Sequence, residues 1–152
     1  MELIFLTPAR MVLHRPKLLR FIQSYGEGRI THRGIRWLKS IEAEEGEKPG
    51  TLFLIAKENH QLAGFFAVLD YGRKESLIVV HPKYRNQGLG RRMIEESLIK
   101  LGRFYGRVAL DNLPSLHMVF GLGMVGFKLT KGPTGKPTLW VGIGQWRRED
   151  VQ

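Results

Sequence analysis

The segment Val79–Ile94 constrains this chain more than any other. An apolar run ends at His81-Pro82, and a basic loop follows, Lys83-Tyr84-Arg85-Asn86-Gln87, with glycines at 88 and 90. Helically spaced residues then begin at Leu89 and Met93. Strand, turn, glycine loop and helix start therefore come in immediate succession. Gly88 and Gly90 lack the Cβ atoms that would hold a ligand off the backbone, and they open φ/ψ regions closed to other residues. The first N–H groups of the helix have no intrahelical acceptor, and the helix dipole adds partial positive charge there. A phosphate or pyrophosphate suits such a place, with Arg85, Arg91 and Arg92 at hand for charge-assisted contacts. Two familiar phosphate loops are excluded. A P-loop needs Gly-Lys-Ser/Thr where Gly90 is followed by Arg91-Arg92, and a dinucleotide fingerprint needs glycine where Met93 stands.

Periodicity and punctuation set the remaining elements. Residues 2–6 read as a first strand, and Pro16–Tyr25 as a helix stopping near Gly26. Thr31 is placed to cap a second helix with Ile35, Leu38 and Ile41 on one face and Gly46 as its stop. Thr51–Ala56 and Gln61–Leu69 form a hairpin across Lys57–His60, and Ser76–Val80 is a further strand after the turn Asp70–Lys74. The helix from Gly88 runs through Leu98, Leu101 and Tyr105 to a stop at Gly106. Val108–Leu110 is a short strand, and Ser115–Met124 a helix interrupted by glycines. Gly126–Thr130 and Thr138–Ile143 pair across the loop Lys131–Pro137. The class is α/β, with a mixed, mostly antiparallel central sheet flanked by helices.

The 152 residues suit a single domain spanning 1–152. With 43% hydrophobic residues, the chain has enough apolar surface to bury, so disorder is excluded as a class. Lys and Arg number 24 against 14 Asp and Glu, a net charge of +10 that draws phosphate-bearing ligands without specifying a fold. Eight of those cations fall within residues 1–40. The absence of cysteine removes disulfides, thiolate metal sites and a cysteine nucleophile, and no metal is expected. No stretch reaches the length of a membrane span, and the short apolar start lacks a basic leader, so a cytoplasmic protein without membrane contact is expected.

Arg85-Asn86-Gln87-Gly88-Leu89-Gly90 resembles the R/Q-x-x-G-x-G/A signature of the GNAT superfamily of acyl-CoA-dependent N-acyltransferases. Val80-His81-Pro82-Lys83-Tyr84 is similar to the lead-in these enzymes often carry, Glu58–Phe65 to their second hairpin, and Gly126-Phe127 to the Gly-Phe after their last helix. The resemblance is good over residues 50–130 and rests on element order elsewhere. It implies a GNAT-like fold in which splayed strands form an acyl-CoA cleft, with acetyl-CoA as co-substrate. The amides of Asn86, Gln87, Gly88, Leu89, Gly90 and Arg91 would hold the pyrophosphate beside Arg85. The strand Leu77–Val80, through Ile78, Val79 and Val80, would pair with the pantetheine arm.

The family's final motif, N-x-x-A-x-x-L-Y-x-x-x-G-F, survives only at its end. Ser115 stands at the Asn position, Gly121 at the Leu position, and Leu122 at the position of the Tyr that reprotonates the leaving thiolate. His117 and Tyr71 are alternative acids. For the base, Asp111 resembles the acid of some protein N-terminal acetyltransferases, and Glu75 lies where another branch places one. The expected function is direct acetyl transfer from acetyl-CoA to a primary amine of an unidentified small molecule or protein. A non-catalytic acyl-CoA-binding module is the alternative, and a basic nucleic-acid-binding domain has only the charge in its favour. The apolar strand Leu139–Ile143 offers itself to a homodimer interface.

Overall fold

Four strands pairing in chain order make one sheet, and three make another. The computed structural model describes residues 1–132 and 135–152. In it β1 (Glu2–Phe5), β2 (Leu52–Glu58), β3 (Gln61–Leu69) and β4 (Glu75–Val80) pair antiparallel in the order β1-β2-β3-β4. The second sheet, also antiparallel, runs β5-β7-β6, with β5 at Arg103–Ala109, β6 at Val125–Lys131 and β7 at Pro137–Gly144. No ladder joins β4 to β5 among the described residues. The expected loop Lys131–Pro137 includes Pro133 and Thr134, which lie outside the described residues.

Helices cover the two faces of the first sheet. On one face α1 (Pro8–Tyr25) and α2 (His32–Ser40) bury Met11, Leu18, Ile22 and Leu38 against Phe53, Phe65, Leu77 and Val79. On the other, α4 (Leu89–Leu101) and α5 (Leu113–Gly121) bury Leu89, Met93, Ile94 and Val119 against Leu54, Phe66, Phe104 and Val141. This second core draws on both sheets: Phe66 of β3 meets Phe104 of β5 edge to face, centroids 5.4 Å apart. β3 is buried on both sides, which explains its nearly unbroken apolar sequence.

Several boundaries differ from the sequence expectation, β5 (Arg103–Ala109 against Val108–Leu110) and α5 (Leu113–Gly121 against Ser115–Met124) among them, and three have a clear local cause. α1 starts at Pro8, capped by Thr7, and passes through Pro16, so the proline favoured in a first turn is the earlier one. α2 stops at Ser40 because Ile41 turns extended, and the short helix α3 (Ala43–Gly46) follows behind its own Glu42–Glu45 capping box. The Arg15 guanidinium, reaching from α1, donates to the carbonyls of Lys39 and Ile41 at that break. α4 ends at Gly102, in the left-handed region at φ 77°, and Tyr105 belongs to β5 rather than to the helix. β7 is the central strand of its sheet, with Val141 fully buried, so Leu139–Ile143 is paired on both sides and does not form a free interface strand.

At one end the two sheets touch closely. Gly72, in the turn before β4, has φ +92°, and a Cβ there would lie 1.8 Å from the carbonyl oxygen of Tyr105. Both the conformation and the approach demand glycine. Gly72→Ala is expected to lose more than about 2 kcal/mol of stability in urea denaturation, because left-handed strain and overpacking add. A loss below half of that would show that the sheets are not held together here.

Candidate active site at the split between the sheets

The loop before α4 presents bare backbone. Asn86 and Gly88 are both left-handed, with φ 59° and 78°, which turns the chain tightly into the helix. The first helical hydrogen bond is donated by Arg92 to the Gly88 carbonyl at 3.0 Å. Before it, the amides of Asn86, Gln87, Gly88, Leu89, Gly90 and Arg91 donate to no acceptor among the described residues. These are the amides that the sequence pattern assigns to an anion. A Cβ on Gly88 would meet no atom within 4 Å, whereas one on Gly90 would come to 3.0 Å from the Met118 sulfur and 3.6 Å from Ile78. Gly88 is therefore required by its conformation, and Gly90 by the closeness of α5 and β4. A hollow of about 160 Å³ lies beside the loop, lined by Met1, Glu58, Tyr84, Gln87, Gly88, Leu89 and Arg92.

The free edge of β4 follows from its register. His81 N–H donates to the Ala63 carbonyl at 2.8 Å, continuing the ladder that pairs Val79 with Phe65 and Leu77 with Ala67. Antiparallel alternation then points the backbone groups of Ser76, Ile78 and Val80 away from β3, and those of Val79 toward it. Of the three strand residues named from sequence, Ile78 and Val80 thus have groups to offer at the split. Their side chains pack toward α4 and α5.

Arg85 has another job than the one its charge suggests. Its Nε donates to the Val80 carbonyl at 2.9 Å and its Nη2 to the Tyr25 carbonyl at 2.8 Å, and it pairs with Glu27. Val80 therefore keeps its N–H free at the edge, while its carbonyl is already engaged. The backbone N–H of Arg85 donates to the Pro82 carbonyl at 3.3 Å. The side chain fastens the glycine loop to the end of β4 and to the C-terminus of α1. Arg91 pairs with Glu95 on the solvent side of α4.

The four acid–base candidates are not brought together. Asp111 is exposed beyond β5, hydrogen-bonded by Lys136 at 2.8 Å and Arg29 at 3.1 Å, and these bonds hold its carboxyl below the ordinary carboxylate range. His117 is exposed on α5 with no hydrogen bond among the described residues. Leu122 packs against the core, and Tyr71 lies under the Arg103 guanidinium, 4.3 Å from its ring centroid. Glu75 alone is buried, 6% exposed, at the start of β4. Burial raises its carboxyl above the ordinary range, against the opposing pull of Arg107 and Arg33.

Two arginines meet at Glu75, and that meeting escaped the sequence reading. Arg107 of β5 approaches the carboxylate at 3.8 Å, donates to the Lys74 carbonyl at 3.3 Å and lies over the Trp140 ring at 5.0 Å. Arg33 of α2 approaches the same carboxylate at 3.9 Å. The contact between Glu75 and Arg107 spans the split, and no spacing in the sequence signals a meeting of residues on separate sheets.

Comparison with known proteins agrees with this geometry. Residues 49–118 match the family model described as an acetyltransferase (GNAT) domain. No curated protein matches the chain by sequence. Among solved structures, a dodecameric spermidine N-acetyltransferase from Vibrio cholerae is similar over 95% of this chain and 93% of its own, with TM-score 0.68 and 15% identity. An acetyltransferase of the GNAT family from Streptococcus pneumoniae covers 94% and 99%, with TM-score 0.68 and 17% identity. The ribosomal-protein-S18-alanine N-acetyltransferase from Escherichia coli covers 99% and 98%, with TM-score 0.68 and 16% identity. The split sheet with its glycine loop is the GNAT fold of these structures, and residues 49–118 match the family's acetyltransferase domain.

The clamp made by Arg85 carries a direct test. Arg85→Ala is expected to cost about 1–3 kcal/mol in urea denaturation, since two carbonyls lose a charged donor. Arg85→Lys should recover little, because an ammonium cannot reach three acceptors as a planar fork does. Full stability of the alanine variant would exclude the clamp.

Proposed function

We propose that the chain transfers an acetyl group directly from acetyl-CoA to a primary amine while both are bound. The observation that carries this reading is the run of six unengaged amides, Asn86–Arg91, set beside the outward backbone groups of Ile78 and Val80. The amides fit a pyrophosphate. The outward N–H groups of β4 fit the carbonyls of a pantetheine arm, and one aimed at the thioester oxygen would stabilise the oxyanion that develops on attack. Direct transfer suits a sequence without cysteine, the residue best able to carry the acyl group in a first step.

The amine must attack as the free base, so a proton has to leave it. Glu75 is the group we assign to accept that proton, through water if the distance requires it. Its raised proton affinity favours the task, whereas the two hydrogen-bonded cations beside Asp111 oppose it there. Carbon–sulfur cleavage releases the coenzyme thiolate. Leu122 offers no proton at the family's tyrosine position, and solvent supplies it in this reading.

Two measurements test the proposal. Millimolar acetyl-CoA should raise the melting temperature of the protein, and Gly90→Val should abolish that rise by pushing Met118 and Ile78 into the cleft. An unchanged melting temperature for the unaltered chain would end the reading. Once an acceptor is found, Glu75→Gln should lower kcat by about 10²–10⁴. A protonated carboxyl cannot accept the amine proton, so kcat/KM should fall as pH drops through the raised Glu75 value. The inflection at the Glu75 value should vanish in Glu75→Gln, leaving only the fall caused by protonation of the amine itself, and persistence of that inflection would remove Glu75 from the role.

A further inference from the structure

The substrate class can be narrowed by the charges around Glu75 and Asp111, an argument that rests on the transfer reading above. Four cations face two carboxylates: Arg33 and Arg107 at Glu75, Arg29 and Lys136 at Asp111. Each carboxylate is therefore already shared between two cations. The two at Glu75 stand at 3.8 and 3.9 Å, beyond hydrogen-bond length, so their donors are not consumed by it. Arg33 donates to no acceptor among the described residues, and its side chain is 61% exposed. A partly free guanidinium fork thus stands beside the proposed proton acceptor.

A polyamine fits this arrangement poorly. Its several ammonium groups would meet an excess of positive charge with neither carboxylate free to receive them. An oxyanion fits well, because a guanidinium holds a carboxylate or phosphate with paired donors. We infer that the acceptor is a small primary amine bearing an oxyanionic group, carboxylate or phosphate, which docks on Arg33 beside Glu75 and Arg107. Docking there also draws Arg33 toward the ligand and away from Glu75, which leaves that carboxylate a stronger proton acceptor. Smallness follows from Glu75 being 6% exposed, which leaves a narrow approach to the group that must take the proton.

The test compares amines matched in size: an α-amino acid, its neutral amide, an aminoalkyl phosphate, and spermidine. Thiol release at saturating acetyl-CoA is read for each, and coenzyme A binding is followed separately by calorimetry. The carboxylated or the phosphorylated amine should exceed spermidine and the neutral amide by at least about tenfold in kcat/KM, the worth of one charge-assisted contact. Which of the two is faster identifies the oxyanion. Arg33→Gln should raise KM for the anionic amine about tenfold with a smaller change in kcat, and so remove most of its advantage over the neutral amide. A preference for spermidine or the neutral amide, or turnover only with acidic peptides, overturns the inference while transfer itself stands. Coenzyme A binding with no thiol release from any of the four amines overturns the inference as well. Failure to bind coenzyme A instead overturns the transfer reading on which it rests.

Discussion

Arg107 spans the place where two sheets cease to be one. Its guanidinium, packed on Trp140 in the second sheet, reaches the Lys74 carbonyl and the Glu75 carboxylate in the first. Beside it the Gly72 turn abuts the Tyr105 carbonyl. Past this junction β4 and β5 share no ladder, so the outward backbone groups of Ile78 and Val80 have no strand to answer them. An edge of this kind invites a partner. In the function proposed above that partner is the arm of the acyl donor, and the closed end of the split would limit where the arm lies.

The glycine loop is fastened at the other end of β4. Arg85 reaches back to the Val80 carbonyl at the end of β4 and to the Tyr25 carbonyl at the end of α1, so loop, edge strand and first helix move together. Six amides are therefore held in place before any ligand arrives, and little ordering is left for binding to cost. The clamp also links the glycine loop to the α1–α2 side of the sheet, where Arg33 and Glu75 face one another.

The loop and edge strand were legible in the sequence because both are local. Gly88, Gly90 and the apolar run Leu77–Val80 declare a strand, a turn and a helix start within a short stretch of chain. The role of Arg85 was not legible: a guanidinium in a basic loop looks ready for phosphate, and its engagement with Tyr25 requires the fold to bring residue 25 alongside. Helix ends failed for a related reason. Leu101 and Tyr105 keep helical spacing past Gly102, and only the left-handed turn at that glycine ends the helix first. The grouping of Glu75, Arg33 and Arg107 comes from three separate elements, and no pattern along the chain anticipates it.

That grouping is not explained by stability. Burial raises the Glu75 carboxyl and lowers the Arg107 guanidinium, so each group is pushed toward its neutral form despite the attraction between them. A buried pair in which desolvation outweighs attraction adds little to folding, and apolar residues of similar volume would serve the core at least as well. The pair instead occupies the end of the split, with one member on each sheet and a second arginine close by. For a carboxylate meant to gain a proton during a reaction, raised proton affinity is useful. For a guanidinium meant to meet an incoming anion, incomplete engagement is useful too. The features that weaken this ion pair as a structural contact are those that support the proton-accepting role proposed for Glu75.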